Sequence, residues 1–179
     1  MKARFLPEHF RFCPTCAAEA IIRFQDNGVR CEVCDFTLFF NPTSSAAAFI
    51  FDQDDKLLVV ERAREPAKGK FGIPGGFVDF NEAAETALVR EVREETNLVL
   101  DKFEFYGSFP NQYPYKNVIY PVLDLYFLGF VSDFSNLSLE ESEISGHQFV
   151  DIRKVPLSQW AFEPLRTAVA KLTKERFGS

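Results

Sequence analysis

No stretch of about 18 consecutive apolar residues occurs in this 179-residue sequence, so a membrane-crossing helix is not expected. The opening residues, MKARFLPEHFRFCP, are broken by charges and prolines and lack the apolar core of a signal peptide, which makes the cytoplasm the expected location. A basic excess is missing too. Twenty Lys and Arg against 26 Asp and Glu leave a net charge of −6, which argues against a general nucleic-acid surface. It does not exclude a phosphate-bearing ligand, because a bound divalent ion reverses the local field at an acidic site. Methionine and tryptophan occur once each, whereas phenylalanine occurs 21 times. Aromatic packing must therefore supply much of the core, and a few exposed rings would be available to stack on a base. Internal repeats and low-complexity tracts are absent as well.

What is present suffices for one well-buried domain and a small appendage. The first forty residues hold all four cysteines, and longer apolar segments begin only after Asn41-Pro42. This places a small module at residues 1–41 and the main domain at 42–179. Strands are expected at 46–51 and 57–61, joined by the turn Asp52-Gln53-Asp54-Asp55. A polar loop follows at 62–70, and 71–77 is too rich in Gly and Pro for regular structure. The best helix is 81–96, with Asn81 as N-cap. Strands are expected at 98–109 and 118–131 with an aromatic loop at 110–115 between them, then a strand at 147–151 and a last helix at 162–176. Interleaved strands and helices predict an α/β fold, a mixed sheet between helices.

The cysteines form two pairs, Cys13-Pro-Thr-Cys16 and Cys31-Glu-Val-Cys34, separated by fourteen residues. Each CxxC makes a tight turn presenting two thiolates, and two such turns complete a tetrahedron around Zn²⁺. Two disulfides are the alternative, disfavoured in a reducing compartment. With all four thiolates used, the zinc keeps no open position and is expected to be structural. Few basic residues surround these knuckles, so nucleic-acid contact is not their expected role; stabilisation or dimer formation is.

The chemistry concentrates in Arg90-Glu91-Val92-Arg93-Glu94-Glu95. At roughly 100° per residue, Glu91, Glu94 and Glu95 fall within an arc of about 100° on a helix, where like charges repel. A solvated acidic face is the ordinary explanation for such a run. Here Ala84, Ala87 and Leu88 share the side of Glu91 and Glu95, while Glu82, Thr86 and Arg93 fall on the other, solvent-facing side. Inward carboxylates need compensation, and a hard cation with oxygen ligands, Mg²⁺ or Mn²⁺, supplies it.

These residues resemble the Nudix box: Gly, five residues, Glu, seven residues, then Arg-Glu-apolar-x-Glu-Glu-x-Gly-apolar. Gly76, Glu82, Arg90, Glu91, Val92, Glu94, Glu95 and Leu98 match; Asn97 stands where the family has glycine, a mild departure because Asn tolerates a left-handed helix end. The resemblance implies a Nudix-type α/β/α sandwich preceded by the small zinc ribbon. It implies Mg²⁺ bound by Glu91, Glu94, Glu95 and the Gly75 carbonyl, with Arg90 holding the glutamates by charge-assisted contacts. Glu143 resembles a late glutamate that relatives use as metal ligand or base, and Glu91 is the other candidate base. The reaction class implied is hydrolysis of a nucleoside diphosphate linked to another group.

Ribbon and box together are similar to the NADH-pyrophosphatase-like branch and to zinc-ribbon enzymes acting on ADP-ribose or FAD. That branch carries Ser-Gln-Pro-Trp-Pro-Phe-Pro after the box, where this chain reads Ser108-Phe109-Pro110-Asn111-Gln112-Tyr113-Pro114-Tyr115. Phe109, Tyr113 and Tyr115 are candidates to stack on a base, and Arg62, with Arg64, Lys68 and Lys70, to grip phosphates. A capped RNA end is the one nucleic-acid partner the resemblance allows, and homodimers are common among such relatives. The competing reading is a catalytically silent Nudix-fold sensor. A sensor would be expected to have lost box glutamates, and none is lost.

Overall fold

The computed structural model of the chain describes residues 3–140 and 142–178. It divides into two compact units, one formed by the residues up to Thr43 together with Gln112–Val122, the other by Ser44–Asn111 and the chain from Leu123 onward.

In the first unit, β1 (Arg4–Phe5) runs parallel to the start of β10 (Val118–Phe130), Arg4 opposite Val118 and Phe5 opposite Ile119. A separate three-stranded antiparallel sheet follows, of β2 (Ile21–Phe24), β3 (Gly28–Cys31) and β4 (Thr37–Phe39). Gly28 has to be a glycine, since a Cβ there would lie 2.7 Å from the Phe24 ring.

The second unit is layered. Its strands are β5 (Thr43–Ile50, counted from Ser44), β6 (Leu57–Arg62), β7 (Phe71–Gly72), β8 (Gly75–Phe77), most of β9 (Lys102–Tyr115) and β10, and β11 (Ile144–Val150). One sheet has β5 between β10 and β8, and the other has β6 between β11 and β7. Alternation along the strands assigns their side chains to two cores. Ala46, Ala48, Ile50, Leu58 and Phe127 pack with Ala87, Leu88 and Val92 of α1 (Ala84–Thr96). Ala47, Phe49, Leu57, Val59 and Tyr126 pack with Leu165, Ala168, Val169 and Leu172 of α2 (Glu163–Phe177). Strands covered on both faces read as the continuous apolar run seen in Ala46-Ala47-Ala48-Phe49-Ile50. The result is the expected α/β/α sandwich with a mixed sheet.

Three local expectations are corrected. Helix α1 begins at Ala84, not near Asn81: its N-cap is Ala83, without a side-chain cap, and Asn81 is left-handed at φ 63°. Glu82, drawn to Arg90, accepts the Asp79 N–H (3.0 Å), and a turn forms there in place of the first helical turn. Residues 110–115 are not a loop, since β9 continues to Tyr115 and turns at Lys116 (φ 53°) into β10. Pro110 and Pro114 are tolerated because, among the described residues, β9 pairs with β10 alone, as an edge strand. The Gly-Pro stretch 71–77 is not wholly irregular: β7 pairs with β6, and β8 pairs antiparallel with β5.

Candidate carboxylate site and cysteine centre

Helix α1 buries Ala87, Leu88, Val92 and Thr96, and this stripe sets the rotation of its carboxylates. Glu91 and Glu95 lie beside the stripe, half-buried, while Glu94 is exposed. Arg90 is the local cation. It donates to both oxygens of Glu82 (Nε 2.9 Å, Nη2 2.8 Å), to Glu91 (Nη1 2.7 Å), to Glu94 (Nη1 3.1 Å) and to the Phe77 carbonyl (Nη2 3.1 Å). Glu82 therefore does not face solvent as its helical angle suggested. It forms a two-pronged ion pair, and the Arg90 hydrogen bonds hold its carboxyl down near 2.

Glu95 is held differently. Among the described residues its hydrogen-bond donor is the neutral Gly75 N–H, at 2.9 Å. Burial pushes its carboxyl up to about 8; the Gly75 amide and Arg62 oppose this, and the charges of Glu91 and Glu143 add to it. Burial also raises Glu91, against the pull of Arg90. The two glycines before α1 allow these contacts. Gly75 has φ 145°, and a Cβ on it would fall 2.3 Å from the Ala46 carbonyl oxygen. A Cβ on Gly76 would lie 2.5 Å from the Glu91 carboxylate.

Glu143 reaches this group from the segment before β11. Ser138 and Glu140 donate their N–H groups to the Thr96 and Glu95 carbonyls (both 3.1 Å), satisfying acceptors left over at the end of α1. Ala63 N–H donates to the Glu143 carbonyl (2.9 Å), and a bulge lies between Ile144 and Gly146 where β11 meets β6. Bulges of this kind re-aim neighbouring side chains.

The arrangement fits a hard divalent cation. Glu91 and Glu95 are sheltered carboxylates of raised pKa, Glu143 adds a third negative charge to their surroundings, and Glu95 has no ion pair among the described residues. Oxygen donors short of positive charge are what Mg²⁺ or Mn²⁺ selects. Arg90 Nη1 donates to both Glu91 and Glu94 and so bridges these two carboxylates.

Among the described residues, the group with converging ligand atoms is Cys13, Cys16, Cys31 and Cys34, all within 4.8 Å of one another. The Cys13–Cys34 and Cys16–Cys31 Sγ atoms are 3.6 Å apart, and all four cysteines are free thiols. Tetrahedral thiolates about 2.3 Å from a zinc ion would have edges of about 3.8 Å. The two knuckles repeat one another. Thr15 and Val33 N–H groups point at Cys13 and Cys31 Sγ (3.4 Å), while Ala17 and Asp35, both left-handed, donate to the Cys13 and Cys31 carbonyls (2.9 and 3.0 Å). Burial raises Cys13, but backbone amides outweigh it and bring the thiol down to about 6. The Phe36 amide lowers Cys34, yet its thiol neighbours and burial push it up to about 12. Four adjacent thiols cannot all ionise without a cation among them, and these residues fit zinc.

The sequence matches the family description of the NUDIX domain over residues 41–172. The chain belongs to the NUDIX family. It is 38% identical over 96 residues to an ADP-ribose pyrophosphatase of Methanocaldococcus jannaschii, covering 52% of this chain and 56% of that protein. It is 24% identical over 153 residues to the NAD-capped RNA hydrolase NudC of Vibrio atlanticus, covering 84% and 53%. The chain thus spans about half the length of the curated relatives it matches. In fold it resembles a NUDIX hydrolase from Nitrosomonas europaea (TM-score 0.69, 21% identity, 94% of this chain and 93% of that one). It also resembles the NUDIX domain of Shewanella oneidensis NrtR in complex with ADP ribose (TM-score 0.61, 23% identity, 78% and 90%).

Within this NUDIX chain, Glu91, Glu94, Glu95, Arg90, Gly75 and Glu143 belong to one compact unit, tied by the contacts above. Arg62 belongs to the same unit; its Nε donates to the Pro66 carbonyl (2.9 Å) and its guanidinium lies 5.0 Å over the Phe162 ring. Phe109 packs on the core against Tyr126, ring centroids 5.3 Å apart. Tyr113 and Tyr115 lie at the tip of the β9–β10 hairpin, in the first unit. The buried Asp124 carries no motif that would single it out in the sequence. It accepts from Ser45 Oγ (2.6 Å), Asn111 Nδ2 (2.9 Å) and Tyr126 OH (3.2 Å), and burial raises its carboxyl. Its sole sequence signal is a charge inside an apolar strand.

Proposed function

We propose that the chain hydrolyses the diphosphate linkage of a nucleoside diphosphate derivative of the NADH, ADP-ribose or FAD type. The observation that carries this reading is the sheltered Glu91–Glu95 pair on α1, whose carboxyls are raised by burial and backed by two glycines. Glu91, Glu94, Glu95, Glu143 and the Gly75 carbonyl would hold Mg²⁺ or Mn²⁺. When bound, the cation neutralises charge on the phosphoryl oxygens and lowers the pKa of the attacking water.

Arg90, bonded to Glu91 and Glu94 on α1 and to the Phe77 carbonyl, ties the carboxylate helix to the β8 strand. Glu91 or Glu143 takes the proton of a water that attacks phosphorus, and the anhydride P–O bond breaks to give two phosphate monoesters. Arg62 is assigned to the phosphates, and Phe109 to stacking on the base. The activity named for the archaeal relative supports ADP-ribose, and that of NudC supports a capped RNA end as a further substrate.

Residues 1–41 are assigned as a zinc ribbon whose Zn²⁺ is structural, and 42–179 as the hydrolase domain. Four free thiols suit a reducing cytoplasm. No helix among the described residues is long and apolar enough to cross a membrane. A homodimer is the assembly the resemblance favours.

The test is a Mg²⁺-dependent screen over dinucleotides, nucleotide sugars and nucleoside triphosphates, with Glu95→Gln as control. Product release from a dinucleotide by the native chain, absent in the variant, is the expected result. Equal release by both would overturn the assigned metal site. Tight binding without turnover of any compound would establish a sensor instead.

A further inference from the structure

The end of β6 and the loop to β7 carry four cations, Arg62, Arg64, Lys68 and Lys70, and the structure separates the roles of three of them. Arg62 is committed to the Pro66 carbonyl and the Phe162 ring. Lys70 Nζ donates to the Ser158 carbonyl at 3.0 Å. Arg64 instead sits on the acidic group itself, with its Nη1 3.5 Å from Glu143 Oε1.

Glu143 is held asymmetrically. Its backbone is fixed on both sides: its N–H donates to the Glu140 carboxylate (3.0 Å), and its carbonyl accepts from Ala63 N–H (2.9 Å). Its side chain, 58% exposed, is tied among the described residues only by the long contact to Arg64, itself 61% exposed. Because Ala63 is bonded to Glu143, the backbone places the next residue, Arg64, beside that carboxylate. An exposed pair at this distance is weak and easily exchanged. A guanidinium has five N–H donors in a planar fork, and a phosphate oxygen pair satisfies that fork better than one carboxylate oxygen at 3.5 Å.

We propose that Arg64 reads the diphosphate of the substrate by exchanging partners. In the free protein it pairs with Glu143. When a diphosphate binds, Arg64 swings to the phosphate oxygens and frees the Glu143 carboxylate to act with Glu91 and Glu95. A neutral ligand gives Arg64 no reason to leave, so the exchange ties the availability of Glu143 to the presence of a diphosphate. This inference rests on the hydrolase reading for the role of Glu143, but not for the exchange itself.

Binding in the absence of metal tests it. Titrations of ADP-ribose and of inorganic pyrophosphate, with EDTA present, would compare the native chain, Arg64→Gln, Glu143→Gln and the double variant. Arg64→Gln should weaken both ligands about tenfold. Glu143→Gln should tighten them by releasing Arg64, and that gain should vanish when Arg64 is also replaced. Arg64→Lys, which keeps the charge without the fork, should recover only part of the affinity. With Mg²⁺, Arg64→Gln should raise KM far more than it lowers kcat. Native affinity in Arg64→Gln would overturn the proposal. So would a Glu143→Gln gain of the same size in both backgrounds, which would mark a simple charge effect. A native chain that binds as described yet hydrolyses no diphosphate would remove the enzyme reading and leave the exchange standing.

Discussion

At Glu95 the burial that helps make the site is also a cost, because the carboxylate is sheltered before any cation is there to balance it. Glu95→Gln removes the negative charge at nearly constant shape. Replacing groups that merely support a metal ligand already costs about 10–100-fold in affinity or activity, so this change should lower Mg²⁺-dependent turnover by at least about 100-fold. Steady-state rates on whichever dinucleotide the screen identifies would check this, with thermal unfolding to confirm that the variant folds. Glu82 gives the complementary case, a carboxylate whose partner is built in. Its pKa is near 2 in the folded chain against an ordinary glutamate value of 4.5, because Arg90 donates to both its oxygens. Its contribution to stability is therefore complete above the ordinary value and lost as pH falls toward 2. The stability gap between the native chain and Glu82→Gln should be open at about pH 6 and should close progressively below about pH 4.5. Denaturant titrations along that range measure it, and a gap independent of pH would contradict the pairing.

The elements around the site are constrained by backbone as much as by side chains. Strand β8 can lie against β5 because Gly75 has no Cβ and takes φ 145°. Gly75→Ala brings a methyl group onto the Ala46 carbonyl and Ala47, adding overpacking to backbone strain, and should destabilise the fold by about 2 kcal/mol or more. Urea unfolding at neutral pH would show it. Because the Gly75 N–H also bonds Glu95, the same variant should lose turnover even where it remains folded. The far end of α1 follows the same logic. Asn97 takes the left-handed position (φ 56°), and the next segment, Ser138 and Glu140, bonds the last helical carbonyls. The Nudix box thus spells out its helix and its stop. The turn at Asp79–Glu82 and the strand character of residues 110–115 were not legible, because the Glu82–Arg90 ion pair and an edge-strand pairing override local propensity there.

For the whole molecule, the two compact units divide the chain differently from its sequence order: Gln112–Val122 groups with the cysteine-bearing unit. No composition signal marks that hairpin tip, since its grouping depends on β1 pairing with β10, far along the chain. If the four thiols hold a structural zinc, metal analysis should find about one zinc per chain. Removal by a strong chelator should lower the melting temperature, and Cys13→Ser should reproduce the loss. Unchanged melting after complete removal would deny the zinc a structural role.

The spacing of Gly76, Glu82, Arg90, Glu91, Glu94 and Glu95 was enough by itself to mark the NUDIX family, that of the four cysteines to bring their thiols together, and the interleaving of strands and helices to give the α/β class. Such spacings are local, and helical periodicity or a tight turn turns them directly into geometry. The rest was decided in three dimensions: Glu82 turned inward to Arg90 by a tight turn, Asp124 buried beside Ser45, and Arg64 set against Glu143. The last two depend on which distant strand or loop comes alongside, and pairings between residues far apart in the chain leave no period in the sequence to read.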